Sequence, residues 1–188
     1  MHEKALIKFH ETVKEDCDLI IAGMGLHASY PVWLPPMYDF LNTRIYYEMK
    51  LPEGTDGLSI KRKGFAPGFT DVPSAGIAVF AKGLSHCQLR TTMFHELGHL
   101  LYHQSELPHT CVRGGRNNRH ELEADLIGAY FGAPGQAVLE LFTQGYTAPQ
   151  VAGILEVSDE LLALRCEMMS VNNEFGIREN PLLIKGWF

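Results

Sequence analysis

The sequence predicts an α+β fold: a small, mostly antiparallel sheet packed on a histidine-bearing helix and a glutamate-bearing helix, followed by a helical C-terminal part. Three observations carry this. Runs rich in β-branched and aromatic residues fall between residues 44 and 81, whereas helical spacing of apolar residues dominates from residue 86 onward. A length of 188 residues with 46% hydrophobic and 20% charged residues suits one ordinary globular domain with its own core. We read residues 1–188 as that single domain, with an N-terminal helix and strands in 1–75, a central part in 76–135, and helices and a tail in 136–188.

The elements follow in order. Leu6, Phe9, Val13, Ile20 and Met24 recur at helical intervals among charges, predicting an amphipathic helix over 3–24. SYPVWLPP then breaks the helix at Pro31, Pro35 and Pro36, and a short helix is expected over 37–43. RIYYEMKL and LSIKRKGF read as two strands joined through PEGTDG, a run of turn formers. GIAVFA, residues 76–81, is a third strand. Ser85 and Gln88 form a capping-box pattern that starts a helix over 86–104. Pro108, Gly114 and Gly115 make 105–119 a loop, and a second long helix runs from about His120 to the GAPG at 132–135. Helices over 136–144 and 147–169 and an irregular tail complete the chain.

Composition excludes several classes. Sixteen Lys and Arg against 22 Asp and Glu give a net charge of −6, which argues against phosphate neutralisation and hence against nucleic-acid binding. Cys17, Cys87, Cys111 and Cys166 are scattered and form no C-x-x-C pair, as expected of free thiols in a reducing cytoplasm. The first apolar stretch is short and follows Glu15, Asp16 and Asp18, so neither a signal peptide nor a membrane span is expected there. Nine histidines are the oddity, and several crowd into 86–120.

There His95-Glu96-Leu97-Gly98-His99 forms H-E-x-x-H. At 100° per residue the two histidines lie about 40° apart on one helix face, one turn from each other. They can share a zinc ion, with Glu96 beside them as general base for a water whose pKa the metal lowers to about 7. Catalytic zinc takes three protein ligands and keeps one position open. A third histidine at the metzincin spacing is absent, since Tyr102 and Ser105 stand where Gly and His would be needed. The helix at 120 instead opens Glu121-Leu122-Glu123-Ala124-Asp125. Glu121 and Asp125 share a face, so Glu121 can ligate while Asp125 accepts the outer ring N–H of a ligand histidine. Glu123 lies about 200° round the same helix from Glu121 and cannot face the same ion. Glu121, Asp125, Gly128 and Gly132 fall within about 60° of one another, a small-residue face suited to pressing on the histidine helix.

HELGHLLYH followed by ELEADLIGAYFGAP resembles the ImmA/IrrE metallopeptidases, with their H-E-x-G-H, then E-x-E-A-N/D, then a small, apolar helix closed by Pro. GIAVFAKGLSHCQLRTTMFHELGH is similar to that family's strand, turn and zinc helix, so the resemblance spans roughly 76–165. Gly132-Ala133 replaces the family's Leu-Met, and Asp125 stands where Asn is frequent. The resemblance implies a Zn2+-dependent intracellular endopeptidase with His95, His99 and Glu121 as ligands and Glu96 as base. It also implies a protein substrate, a helix-turn-helix transcriptional repressor in a regulatory or toxin–antitoxin setting. The rival reading is a toxin-type or regulatory binding protein that keeps the scaffold with little proteolysis.

Several further positions are candidates. Tyr102 and His103 stand near the metal face and could stabilise an oxyanion. The strand Gly76-Ile77-Ala78-Val79-Phe80 is expected to take an extended substrate along its edge. His109, Cys111 and His120 could offer alternative ligation, and Arg113, Arg116 and Arg119 make the loop basic. Residues 147–166 scan like a helix-turn-helix, with Ala152 and a turn at Val157-Ser158. Only Arg165 there could donate to a base edge, against Glu156, Asp159 and Glu160, so a structural hairpin or protein-docking surface is the better reading.

Overall fold

The computed structural model describes residues 3–23, 30–32, 34–61, 76–103, 109–112 and 119–177. The chain divides into two compact units, residues 33–128 and residues 1–32 with 129–188. Among the described residues no helix is long and apolar enough to cross a membrane.

The 33–128 unit begins with α1 (Pro35–Phe40), whose two prolines occupy the first turn, where their missing N–H groups are not needed. The Tyr38 hydroxyl, completely buried, donates to the carbonyl of Met93 at 2.6 Å and ties this helix to the one that bears the histidines. Four strands follow: β1 (Thr43–Met49), β2 (Thr55–Lys61), β3 (Gly76–Ala81) and β4 (His109–Val112), in the order β1-β3-β2-β4. β2 pairs antiparallel with both neighbours, Leu58 opposite Val79 on one side and Thr110 on the other. β1 pairs parallel with β3, Thr43 opposite Gly76, which makes the sheet mixed although two of its three pairings are antiparallel.

Helix α2 (His86–Tyr102) lies across this sheet. It starts at the predicted capping box: Ser85 Oγ accepts from the Gln88 N–H, and the Gln88 side chain accepts from the Ser85 N–H. Gly76, Ala78 and Phe80 of β3 alternate inward, and Leu100 of the helix lies over Gly76, where a Cβ would sit 3.1 Å from Leu100 Cδ2. Helix α3 (Arg119–Gly132) crosses α2 at its small residues. A Cβ on Gly98 would sit 2.8 Å from the backbone of Ala124, and one on Gly128 would sit 3.1 Å from the Phe94 carbonyl carbon. Backbone meets backbone, so neither side can give way. Gly98→Val is expected to lower stability by about 1–3 kcal/mol or more in urea unfolding, with loss of metal affinity as the helices separate.

The other unit carries α4 (Gly135–Thr143), α5 (Ala148–Leu155) and α6 (Asp159–Val171), together with the N-terminal helix αN (Glu3–Gly23). His10, Val13 and Cys17 are the buried stripe of αN, at helical spacing. Burial pushes the Cys17 thiol well above its usual range and that of Cys166 up to about 12, so both are inert, protonated core residues.

Three expectations change. The strand at Gly76, Ile77, Ala78, Val79 and Phe80 is paired on both sides, by β1 and β2, and has no open edge to which a substrate strand could add. The presumed loop 105–119 contains β4, four residues that complete an antiparallel pair with β2. The helix expected over 147–169 is two helices, α5 and α6, because Glu156 adopts the left-handed conformation at φ 55° and Ser158 caps a new start. That turn has the helix-turn-helix outline, yet Arg165, its one candidate base-reading cation, is only 2% exposed. The exposed positions of α6 are Asp159, Glu160, Ala163 and Glu167, a surface that repels phosphate.

Candidate metal centre

Two helices of the 33–128 unit build the site. His95 and His99 stand one turn apart on α2, and their Nε2 atoms are 3.0 Å from each other. Glu121 reaches them from the first turn of α3, with one oxygen 3.2 Å from His95 Nε2 and the other 3.4 Å from His99 Nε2. The three side chains form a triangle in which each imidazole faces a different oxygen of the Glu121 carboxylate. A tetrahedral ion with bonds of about 2.0–2.1 Å requires ligand atoms about 3.3 Å apart, so the residues fit the metal that their chemistry suggests. Two imidazoles and one carboxylate also suit zinc better than calcium or magnesium, which take oxygen ligands.

The electrostatics agree with that use. Burial, aided by repulsion from His95, holds the His99 imidazole below its ordinary pKa, against the pull of Glu121, and so favours the neutral form that ligates. Burial opposes ionisation of Glu121, but the facing His95 and His99 imidazoles outweigh it and hold the carboxyl well below its usual range. Asp125 Oδ1 lies 2.7 Å from His95 Nδ1. An Nδ1–H donated to that carboxylate leaves the Nε2 lone pair directed at the triangle.

Glu96 follows His95 on α2 and is completely buried. Gly57 of β2 lies against it: a Cβ there would be 2.6 Å from Thr92 Cγ2 and 3.0 Å from Glu96 Oε1. In the sequence Gly57 closes PEGTDG and reads as a turn former; it lies inside β2, where glycine permits close approach by another element.

The remaining candidates scatter. Tyr102 ends α2 half-buried. His103 is buried, with Nδ1 2.7 Å from His99 Nδ1 and Nε2 3.1 Å from Glu123 Oε2. Both ring nitrogens are engaged, which removes His103 from the oxyanion role expected of it. Glu123 turns away from the triangle, as the helical wheel requires, and its other oxygen accepts from Arg119 Nε at 2.6 Å. Burial works against ionisation of Glu123, but Arg119 first and then His103 hold its carboxyl below the ordinary value. His120 is exposed and stacks on His103, ring centroids 4.5 Å apart. Arg113 and Arg116 lie outside the described residues, as do the side chains of His109 and Cys111.

An H-E-x-x-H helix with an acidic third donor from a second helix defines a metallopeptidase. The chain belongs to the Peptidase M78 family, matching its IrrE N-terminal-like domain over residues 44–167, a span that contains the sheet, α2 and α3. No curated protein matches the chain.

Proposed function

We propose that the protein is a zinc-dependent endopeptidase that cleaves a cytoplasmic regulatory protein, namely a helix-turn-helix transcriptional repressor. The observation that carries the reading is the His95–His99–Glu121 triangle with a buried glutamate next to it on the same helix. Zinc supplies Lewis acidity, polarising the scissile carbonyl and lowering the pKa of a water towards about 7. The protein's own residues do the rest. Glu96 takes the proton of the attacking water and passes it to the departing amine nitrogen, so that peptide and water become carboxylate and amine. Asp125 orients His95, and Glu121 offsets part of the ion's charge. Tyr102 is assigned to the oxyanion side. A binding protein would need the triangle at most; the buried Glu96 favours hydrolysis.

The test is incubation with a purified helix-turn-helix transcriptional regulator from the same cell. Cleavage that chelator abolishes and zinc restores is the expected result. A regulator that forms a stable complex yet stays intact with zinc present would overturn the endopeptidase reading in favour of a binder.

A further inference from the structure

Beyond the triangle, the structure holds a second cluster of His103, His120 and Glu123 whose donor atoms also lie close enough to hold an ion. Proton counting decides what it does. If His99 ligates through Nε2, the atom that faces His95 and Glu121, its single proton is on Nδ1. The ring atom of His103 that faces that N–H is Nδ1, at 2.7 Å, which must then be an acceptor. A neutral His103 therefore carries its proton on Nε2, and that proton points at Glu123 Oε2, 3.1 Å away. The same Nε2 cannot also ligate a second metal. Glu123 in turn accepts from Arg119 at 2.6 Å.

The geometry points to His103, Glu123 and Arg119 as positioning residues: a hydrogen-bonded chain, His99 to His103 to Glu123 to Arg119, that fixes the His99 ring and tautomer and raises its basicity towards the ion. The two ligand histidines would thus be oriented differently, His95 directly by Asp125 and His99 through an intervening imidazole. Burial of His103 and of Glu123 shields this chain from competing water, while Arg119 closes it at the exposed start of α3. The inference rests on the zinc reading above.

Zinc affinity of the full chain, measured by competition with a chromogenic chelator, tests both and separates them. The wild type is expected to bind one equivalent. His103→Phe should bind about 10–100-fold more weakly, the usual cost of losing a ligand's outer partner. His103→Asn, whose carbonyl can accept the His99 N–H, should recover part of that loss. Arg119→Ala, at an exposed side chain, should weaken binding by a smaller factor without affecting the fold. In NMR spectra of the zinc form, the His99 Nδ1–H proton should lie downfield in the wild type and move upfield in His103→Phe, a change that loss of packing alone would not give. Unchanged affinity in His103→Phe and Arg119→Ala overturns the chain and leaves the triangle standing. Two equivalents in the wild type, the second lost in His120→Ala, overturn the chain in favour of a second metal site. No zinc in the wild type overturns the triangle and the chain with it.

Discussion

Glu96→Gln is expected to keep its zinc at one equivalent and to lose cleavage of the regulator by roughly 10²–10⁴-fold, the usual contribution of a general base. Gln has nearly the same shape, so the packing of this completely buried side chain against Gly57 and Thr92 is retained. What it loses is the ability to take a proton from water and return one to the amine. The ligands are on other residues, so metal affinity should not change. Metal analysis and cleavage assays on the same preparation check both halves. Wild-type turnover by Glu96→Gln would remove Glu96 from the mechanism.

Arg165→Ala should unfold the protein most readily, with a cost of about 3–5 kcal/mol at neutral pH, because it strands a buried charge. Arg165 is 2% exposed and makes paired 2.8 Å hydrogen bonds to both oxygens of Glu174, and its Nε donates to the Ala133 carbonyl. Its guanidinium also lies 4.4 Å from the centre of the Tyr130 ring. Burial raises the pKa of Glu174, but the Arg165 hydrogen bonds outweigh it and hold the carboxyl below its ordinary value of 4.5. Such a depressed group contributes stability above pH 4.5 that is lost as pH falls through the lower folded value. Urea unfolding at pH 7 and at pH 3.5 should therefore show the difference between wild type and Arg165→Ala shrinking in acid. An equal difference at both would show that the loss is packing rather than charge.

Much of the site was legible because its signals are local. A capping box fixes where α2 begins, and a four-residue spacing places two histidines on one face. The wheel of α3 separates Glu121 from Glu123 and puts Gly128 where the helices touch. What escaped depends on partners distant in sequence. Nothing in GIAVFA reveals that it is central and parallel to β1, since alternation defines faces and not neighbours. β4 is four residues long, too short for a pattern to show. The end of α5 is marked only by the turn at Val157-Ser158, because Glu156 holds a left-handed position where glycine is the expected signal. The link between His103 and Glu123 spans 20 residues and two helices, and only their packing creates it.

The most direct measurement of the central claim is zinc titration of the wild type beside Glu121→Ala and Glu123→Ala. The triangle predicts one equivalent bound by the wild type, its loss in Glu121→Ala, and a weakened but retained ion in Glu123→Ala. Retention of tight zinc by Glu121→Ala together with its loss in Glu123→Ala would contradict the account.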